Sequence, residues 1–385
     1  MKRSNGARPI FWLAVMFTIV FLVGAEATPT ATPTPTCTPG GTPGLWTDGA
    51  PVAIDHYGGF IDSDGTYAYE GGGYAFSAAD NINEFGRFNP TTNIWQSLAV
   101  VPDLNNAMAS GVYAPNVNKL FVFGGARANT TTVVNTTRIY DIATGVWSTG
   151  APMPAVRAFM GSGYHNGKIY LVGGYSIGNV WFDQVWEYDP VLNTWNTSRA
   201  SMPITMGGPG FGIINGHLYI AGGRNGGSTH LNTLYDYDIA ANTWTQRVNL
   251  LTGINVPGSA VIEDKLWIFG GGNPFLATNV LQVYDPATDT WSSGPNMNFG
   301  LSFLAGTDVG NTAVAVGGFT GANTTTLVEI NVTDGCASPT PTATPTPTPT
   351  VTPTATPTPT PTGTPSATPR PTLTPRPRPT LPPRP

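Results

Sequence analysis

Apolar segments and glycine pairs alternate along this chain with a period of about 50 residues. Short apolar stretches, such as Leu120–Phe123 and Ile169–Val172, end at a Gly-Gly pair. Stretches of this length that are bounded by turn residues are typical of buried β-strands. Asn166-Gly167 and Asn215-Gly216 precede two such strands, and both dipeptides accept the positive φ values of a type I′ turn. The pattern therefore predicts short antiparallel strands joined by tight turns.

The period divides the middle of the chain into six units. Each unit contains one Gly-Gly pair, at positions 72–73, 124–125, 173–174, 222–223, 270–271 and 317–318. A tryptophan follows each of the first five pairs in phase, namely Trp95, Trp147, Trp195, Trp244 and Trp291. The sixth unit lacks a tryptophan, whereas Trp46 stands ahead of the first pair, 49 residues before Trp95. We therefore expect the N-terminal segment to supply the outer strand of the sixth unit, which removes the free edges of the assembly.

An aromatic residue followed by aspartate or asparagine stands between the Gly-Gly pair and the tryptophan of each complete unit. These dipeptides are Phe88-Asn89, Tyr140-Asp141, Tyr188-Asp189, Tyr237-Asp238 and Tyr284-Asp285. The combined motif resembles the Kelch repeat, and the resemblance covers the whole of residues 45–337. It implies an all-β fold, a six-bladed Kelch-type β-propeller with four antiparallel strands per blade. An N-terminal strand would complete the last blade.

The N-terminus has the pattern of an export signal. A basic start is followed by an apolar run over residues 10–23 and by the small-residue site Ala25-Glu26-Ala27. This arrangement is typical of a cleaved signal peptide, so we predict one at residues 1–27 and a secreted or surface-displayed protein. The threonine- and proline-rich tracts that flank the repeats are similar to those of secreted bacterial proteins, so we expect a bacterial origin. An uncleaved membrane anchor is the alternative, although the apolar run is shorter than the roughly 20 residues of a spanning helix.

Two segments flank the repeats and alternate threonine or serine with proline. They are a linker at residues 28–43 and a tail at residues 338–385, which leaves the propeller at residues 44–337. This composition cannot form a core and favours extended, polyproline-like chain. We therefore expect both segments to be disordered spacers.

Charge is unevenly distributed between the repeats and the tail. Residues 45–337 carry 10 lysines and arginines against 21 aspartates and glutamates, a net charge of −11. The tail after Ala337 contains four arginines and no acidic residue. Because phosphate contacts need clustered positive charge, the acidic repeats argue against a nucleic-acid partner. The basic tail allows association with an anionic cell surface, and we expect a monomer.

The two cysteines, Cys37 and Cys336, lie on either side of the repeats. An even number of cysteines in an exported protein favours a disulfide. Both residues flank the point where the N-terminal strand meets the sixth unit, so we predict that they form a bridge there. Two free thiols or an intermolecular bridge are the alternatives.

The sequence offers no set of residues that predicts metal, cofactor or catalytic chemistry. Its four histidines are scattered over several units, at His56, His165, His217 and His230. The repeated aspartates and tryptophans recur once per blade, which favours turn formation and blade packing over acid–base chemistry or sugar binding. Galactose oxidase shares the Kelch propeller, but its copper chemistry needs a cysteine-modified tyrosine, and no cysteine lies within these repeats. We therefore expect no cofactor, no metal and no catalytic residue.

The Kelch resemblance also implies where a ligand site lies. In such propellers, the loops after Gly-Gly and the loops before the next innermost strand form one face around the central channel. Arginines at these positions recognise peptides in Kelch adaptors. The matching positions here are Arg127, Arg157, Arg224, Asn225 and Asn273. On an acidic domain these rim residues predict a site for a carboxylate or another polar ligand, with solvated loop side chains as the alternative.

These observations favour an exported binding propeller that recognises a protein, peptide or glycan through one face. A carbohydrate-active enzyme is the alternative, because bacterial sialic acid mutarotases resemble this chain in being exported six-bladed Kelch propellers. That chemistry needs a carboxylate beside an arginine in the channel, and none of the glutamates in the repeats stands next to a rim arginine in register. The fold alone does not decide between these classes.

Overall fold

Four-stranded antiparallel sheets repeat along the chain in the computed structural model, which describes residues 43–128, 132–227, 230–273 and 276–333. Strand β1 (Pro43–Asp48) comes first. Blade 1 contains β2 (Phe60–Ser63), β3 (Ala68–Gly71), the small hairpin β4 (Tyr74–Ala75) and β5 (Asp80–Asn81), β6 (Phe85–Asn89) and β7 (Ile94–Ser97). Blade 2 contains β8 (Ser110–Ala114), β9 (Lys119–Phe123), the small hairpin β10 (Ala126–Arg127) and β11 (Thr132–Val133), β12 (Thr137–Asp141) and β13 (Val146–Thr149).

The remaining blades follow the same order from inner to outer strand. Blade 3 contains β14 (Gly161–His165), β15 (Lys168–Val172), the small hairpin β16 (Tyr175–Ser176) and β17 (Val180–Trp181), β18 (Val185–Asp189) and β19 (Thr194–Asn196). Blade 4 contains β20 (Gly210–Ile214), β21 (His217–Ala221), β22 (Leu234–Asp238) and β23 (Thr243–Arg247). Blade 5 contains β24 (Gly258–Ile262), β25 (Lys265–Phe269), the small hairpin β26 (Gly272–Asn273) and β27 (Leu276–Ala277), β28 (Leu281–Asp285) and β29 (Thr290–Ser293). Blade 6 contains β30 (Ala305–Val309), β31 (Thr312–Val316) and β32 (Val328–Thr333).

The innermost strands of successive blades contact one another in a closed circle, from β2 through β8, β14, β20, β24 and β30 back to β2. The predicted six-bladed, all-β propeller with four antiparallel strands per blade is therefore confirmed. Across the ranges that the model describes there is no helix long and apolar enough to cross a membrane.

Blade 6 is completed by the N-terminal strand, as predicted. Strand β1 pairs antiparallel with β32, and Trp46 lies opposite Asn331 in the register. The Trp46 side chain is buried against the core of blades 5 and 6, where its ring centroid lies 5.2 Å from that of Phe269. Pro43, the first described residue, pairs with Thr333, the last. Cys37 and Cys336 lie outside the described residues, so their bridge stays a prediction.

Tight turns between the strands use the residue types that the sequence predicted. Two positions before each of the five later tryptophans the backbone has a positive φ, at Asn93, Gly145, Asn193, Asn242 and Asp289. Both residues of the two Asn-Gly hairpins also have positive φ, as a type I′ turn requires. The aspartates of the repeat motif accept N–H groups of these turns, and Thr144 N–H donates to Asp141 over 3.0 Å. These carboxylates are therefore turn formers.

The tryptophans connect each outer strand to the preceding interblade loop. In each of the six repeated tryptophans, the indole Nε1–H donates to a backbone carbonyl over 2.7–3.1 Å. The acceptors, from Trp46 to Trp291 in chain order, are the carbonyls of Pro295, Ala50, Ala99, Ala151, Ala200 and Val248. These bonds hold each outer strand to the neighbouring loop, so the six repeated tryptophans serve blade packing.

The apolar core lies between neighbouring blades rather than within one sheet. Phe60 and Phe85 of blade 1, for example, form one buried cluster with Leu120, Val122 and Tyr140 of blade 2. Comparable clusters occupy the other interfaces. Each blade therefore buries both of its faces against its two neighbours.

A ring of backbone hydrogen bonds encircles one mouth of the central channel. One residue per blade takes part, immediately before the innermost strand, and each N–H donates to the carbonyl of its counterpart in the preceding blade over 2.7–2.9 Å. The six residues are Gly58, Met108, Phe159, Gly208, Val256 and Phe303. All six have φ between 48° and 68°, which is a costly conformation for a β-branched residue such as Val256. We call this closed set the backbone ring.

A buried ion pair lies where blade 6 meets blade 1. His56 Nε2 lies 2.7 Å from Glu70 Oε1, and His56 Nδ1 donates to the carbonyl of Ile54 over 2.9 Å. The backbone of His56 hydrogen-bonds to Thr325 and Gly318 of blade 6. Burial alone would lower the pKa of His56, but the carboxylate of Glu70 raises it to about 9. This junction is therefore held by a charged imidazolium.

We expect the stability of the propeller to fall in mild alkali because of this pair. The folded protein holds the His56 proton more tightly than the unfolded chain, so the contribution is complete below pH ~6.5 and disappears as the pH rises through about 9. Denaturant titrations between about pH 7 and pH 10 should show the free energy of unfolding fall by about 3 kcal/mol. The double variant His56→Met, Glu70→Val should lack this slope, and an equal slope in both proteins would contradict the prediction.

Candidate functional site

The loops after Gly-Gly and the loops before the innermost strands meet on the side of the propeller that carries the backbone ring. We call this side the ring face. Antiparallel bridges join the two kinds of loop, at Tyr57–Tyr74, Ala107–Ala126, Ala158–Tyr175, Gly207–Arg224 and Ser302–Phe319. Residues at the bridges and in the ring therefore form one continuous surface around the channel mouth.

Aromatic side chains cross the ring face in an uninterrupted series, which we call the aromatic band. Its members are Phe319, Phe76, Tyr74, Tyr57, Phe303, Phe159, Tyr175 and Trp181. Along the band from Phe319 to Trp181, successive ring centroids lie 4.8–6.3 Å apart. All eight side chains are half-buried or exposed, and 45% of Phe76 is accessible. The ring face thus exposes a large apolar strip on an otherwise polar surface.

The rings of the aromatic band are tilted against one another rather than coplanar. Interplanar angles within it lie between 52° and 87°. Tilted and edge-on rings pack against one another and expose edges and faces in turn, whereas a flat stack would offer one broad plane. Two band members, Phe159 and Phe303, belong to the backbone ring, which fixes their Cα positions across the channel mouth. The band is therefore a preformed, uneven apolar surface.

A cavity of about 160 Å³ lies at the Trp181 end of the band. Tyr175, Trp181 and Phe303 supply apolar walls, and Arg224 and Asn255 supply polar groups. The guanidinium carbon of Arg224 lies 5.2 Å from the Trp181 ring centroid, within cation–π range. The cavity therefore combines aromatic faces with one cation.

Polar atoms at this cavity have no protein partner among the described residues. They are Arg224 Nε and both side-chain atoms of Asn255, Nδ2 and Oδ1. Asn255 is only 1% exposed, so its amide is withdrawn from bulk water. A buried polar group without a partner is costly, typically by 1–3 kcal/mol. The arrangement therefore leaves donors and an acceptor for a ligand or for bound water.

Of the predicted rim residues, Arg224 alone is placed in this cavity. Unlike Arg127, Arg138, Arg199 and Arg247, it makes no ion pair with a described carboxylate. Arg224 is therefore the ring-face arginine whose charge is available to a ligand.

Arg157 is not on the open rim, which corrects the predicted exposure of this residue. Its side chain is 2% exposed and passes between the rings of Phe182 and Trp186, 4.1 and 3.5 Å from their centroids. Nη1 donates to the carbonyl of Gly173 over 3.0 Å, and Nη2 donates to Gln184. Burial lowers the pKa of the guanidinium. These side-chain contacts all lie in blade 3, whereas the backbone of Arg157 hydrogen-bonds to Val134 and Gly125 of blade 2, so the residue lies in the interface between blades 2 and 3.

The sequence placed Arg157 wrongly because distance along the chain does not show which way a loop residue points. It lies two positions before the backbone-ring residue Phe159. In the next three blades the same position holds Met206, Ile254 and Leu301, which are all buried. The position therefore faces the blade interface, and the ring residue itself faces the channel mouth.

Two other predicted site residues, Arg127 and Asn225, are engaged locally on the ring face. Arg127 in β10 forms a two-point ion pair with Asp80 of blade 1, so its charge is neutralised. Asn225 follows Arg224, and its Oδ1 accepts the N–H of Gly227 over 3.0 Å, which shapes the turn. Asn273 lies in β26, opposite Leu276 in the register. Its side chain lies outside what the structure describes.

Sequence reasoning missed the aromatic band, although a weak signal exists. The residue directly after Gly-Gly is aromatic in three of the six units, at Tyr74, Tyr175 and Phe319. Phe159 and Phe303 occupy the backbone-ring position in blades 3 and 6, the same blades that contain Tyr175 and Phe319. Each of these residues alone is consistent with core packing, and only the closed propeller brings them into one strip.

Comparison with known proteins finds relatives that are similar to part of this chain. Kelch repeat and BTB domain-containing protein 1 of Ectromelia virus (strain Moscow) is 26% identical over 51% of this chain and 34% of its own length. Kelch-like protein 23 of Mus musculus is 30% identical over 32% of this chain and 21% of its length. F-box protein AFR of Arabidopsis thaliana is 36% identical over 26% of this chain and 30% of its length. The matches thus span about a third or less of these relatives.

A solved structure, that of YjhT, superposes with a TM-score of 0.62 at 16% identity and covers 72% of this chain and 95% of that one. This likeness supports the fold alone. The model of the KLHDC2/KLHL20/DRC7 Kelch-repeats domain matches residues 61–257, and the Kelch motif matches residues 257–298. The first of these family models matches more than half of the residues of this chain. The chain therefore belongs to the Kelch-repeat family.

Proposed function

We propose that this protein is an exported binding module whose ring face recognises an extended peptide segment of a partner protein. The observation that carries the proposal is the aromatic band, which runs across the channel mouth and ends at the unpaired Arg224. Exposed apolar strips of this kind mark interaction sites in soluble proteins. The N-terminal pattern of residues 1–27 supports export.

The geometry of the band favours a peptide over a glycan. Its rings stand at 52–87° to one another, so they form an uneven apolar surface rather than a plane for a sugar ring. Aromatic side chains and arginine are the residues that dominate binding energy at protein interfaces. The strip therefore has the composition of an interface centre, against which apolar side chains of the partner would pack.

The Arg224 cavity would anchor one polar group of that peptide. A carboxylate could accept from the guanidinium, and a backbone amide could pair with both atoms of Asn255, because such an amide carries a donor and an acceptor. Pairing these atoms in the complex would remove the cost of leaving them unsatisfied. The cavity would thus set the register of the peptide along the band.

Geometry does not favour the enzyme alternative at this site. A mutarotase mechanism needs a carboxylate beside an arginine, and no described aspartate or glutamate lies within ion-pair distance of Arg224. The two carboxylates that face the channel, Asp62 and Asp308, line a different cavity from the one that Arg224 lines. A sialic acid anomerisation assay tests this class directly.

We expect Arg224→Ala and Trp181→Ala each to weaken binding of a peptide selected on the wild-type protein by at least tenfold, about 1.4 kcal/mol or more. The peptide would come from panning a displayed random library on the purified chain, in parallel with a glycan array. The free energy of unfolding of Arg224→Ala, from thermal unfolding, should differ from that of the wild type by less than about 1 kcal/mol, because removal of this side chain leaves no buried partner unsatisfied.

Arg87→Ala is the matched control for this experiment. Arg87 also lacks a carboxylate partner and contacts the Tyr67 ring 4.3 Å away, but it lies on β6, outside the aromatic band. Its loss should leave peptide affinity unchanged. Selection of glycans but no peptides would contradict peptide recognition. Full affinity in both ring-face variants would place the binding site outside the Arg224 cavity.

A further inference from the structure

Blade 1 has a glycine at a strand position where every other blade has a large side chain. Counting the four sheet strands outward from the channel, the position is the second residue of the third strand, and it pairs with the residue two before Gly-Gly. In blade 1 it is Gly86, opposite Glu70. In blades 2 to 6 it is Arg138, Trp186, Tyr235, Gln282 and Glu329, which are only 1–6% exposed. Blade 1 therefore lacks one large buried side chain.

The buried side chains at this position fill the space under the loop that leads into their blade. Gln282 of blade 5 pairs with both backbone groups of Thr252, over 2.8 and 3.2 Å. Glu329 of blade 6 accepts the backbone N–H of Asn298 over 2.7 Å. Thr252 and Asn298 lie between the outer strand of the preceding blade and the innermost strand of the same blade. The equivalent loop of blade 1 is residues 49–59.

A cavity of about 310 Å³ lies between this loop and the sheet of blade 1. Its loop side includes Val52, Ile54 and His56, and its sheet side includes Gly86 and Glu70. Further apolar walls come from Phe85, Trp95 and Leu98. We call it the blade 1 cavity. Its volume is within the range of small-molecule sites and about twice that of a cavity that holds benzene.

The inner end of the blade 1 cavity offers a hydrogen-bond acceptor. Glu70 is 4% exposed, its Oε1 faces His56, and no hydrogen bond within the described ranges uses its Oε2. Both ring nitrogens of His56 are engaged, by Glu70 and by the carbonyl of Ile54. Glu84 also lines the cavity, is exposed, and forms no ion pair within the part of the chain that the structure describes. The cavity therefore has an excess of negative charge, which favours a cationic donor.

We propose that the blade 1 cavity binds a small amphipathic amine, which packs an aromatic or alkyl body against Phe85 and Trp95 and donates from its ammonium group to Glu70. Blade 2 contains the same combination within the protein. There the apolar stem of Arg138 is buried at the equivalent position, and its Nε donates to the carboxylate of Asp103 over 2.6 Å. Hydrogen bonds between ionised groups are the strong ones, and the apolar body of the amine adds hydrophobic burial.

The blade 1 cavity is separate from the peptide site proposed on the ring face. None of its lining residues lines the Arg224 cavity or belongs to the aromatic band. The inference therefore does not rest on peptide recognition, and failure of either proposal leaves the other unaffected.

The test is calorimetric titration of 2-phenylethylamine into the purified full chain. We expect one saturable site with a Kd of ~10⁻³ M, as for a well-placed fragment of this size. 3-Phenylpropionate has the same ring and the opposite charge, so it should bind at least tenfold more weakly. Ethylamine keeps the ammonium group but lacks the ring, and it should also bind at least tenfold more weakly. Equal affinity for the amine and the acid would overturn Glu70 as the partner of the ammonium group.

Gly86→Tyr tests the cavity itself. Tyrosine occupies this position in blade 4, at Tyr235, and its ring would fill the space that the amine needs. Gly86 does not have a positive φ, and a Cβ there would lie 3.1 Å from the carbonyl oxygen of Gln96, so only a small shift is needed. The variant should bind the amine at least tenfold more weakly. Gly86→Ala is the matched control, because it adds the same Cβ, leaves the cavity open and should bind within about threefold of the wild type.

Glu70→Gln tests the contact with the ammonium group, because it keeps the shape of the side chain and removes its charge. We expect the preference for the amine over the acid to fall by at least tenfold. This change also removes the charged partner of His56, so circular dichroism checks the fold, and the two Gly86 variants decide the proposal if it is lost. Wild-type affinity for the amine in Gly86→Tyr, or no saturable binding to the wild type up to about 10 mM, would overturn the proposal.

Discussion

Replacing Arg157 by alanine is expected to lower the free energy of unfolding by about 4 kcal/mol, as for truncation of other large buried side chains. The change empties the space between Phe182 and Trp186 and leaves the carbonyl of Gly173 without its donor. Chemical denaturation followed by tryptophan fluorescence would measure the loss, because Trp186 lies in direct contact with the site.

Arg157→Met is the informative companion variant. Methionine occupies the equivalent position in the next blade, at Met206, and fills a similar volume without a buried charge. Because a buried cation also carries a desolvation cost, we expect this variant to lie within about 1.5 kcal/mol of the wild type. An alanine variant as stable as the wild type would mean that Arg157 does not hold the interface between blades 2 and 3.

Reduction of the protein should lower its melting temperature, because we propose that Cys37 and Cys336 form a disulfide. Such a bridge closes a loop of about 300 residues, for which the chain-entropy model gives about 5 kcal/mol as an upper figure. The folded spectrum at room temperature should stay the same, since the strands that close blade 6 pair without the bridge.

The described residues support this bridge from both sides. Pro43 and Thr333 are paired across β1 and β32, so the chain leaves the propeller at both ends from one point. Cys37 is six residues before that pair and Cys336 is three residues after it, distances that extended chain spans at about 3.3 Å per residue. Cys37→Ser serves as the control and should melt like the reduced wild type. Peptide mapping without reductant that recovers both cysteines as thiols would rule the bridge out.

The sequence predicted most of the fold because the same motif recurs in six units, so each unit shows which residues occupy equivalent positions. Trp46 is the clearest case, since its phase relative to Trp95 located the closing strand across nearly the whole length of the domain. The turn residues were equally accessible, because positive φ restricts position 93 and its equivalents to a few residue types. The sequence was sufficient to predict the local structure wherever a backbone conformation, such as a positive φ, restricts the position to a few residue types.

The candidate site was harder to predict because it depends on the direction in which each side chain points, which the sequence pattern does not show. Arg157 and Arg224 both stand in loops of the predicted face, yet one side chain enters an interface and the other a cavity. The aromatic band joins Phe303 of blade 6 to Tyr57 of blade 1, so it arises only when the sixth blade closes against the first. The sequence placed Arg224 in a loop of this face, but the residues that share its cavity come together only in the closed ring.

The backbone ring has a consequence for how the propeller comes apart. Each blade gives one donor and one acceptor to it, so detaching any blade breaks two of its bonds together with two apolar interfaces. In open repeat arrays each repeat contacts only its neighbours, and terminal repeats can fray by themselves. Here the ring and the strand exchange at β1 leave no terminal repeat. We therefore expect loss of one blade to destabilise both of its neighbours, and unfolding to lack the stepwise loss of terminal repeats that open arrays show.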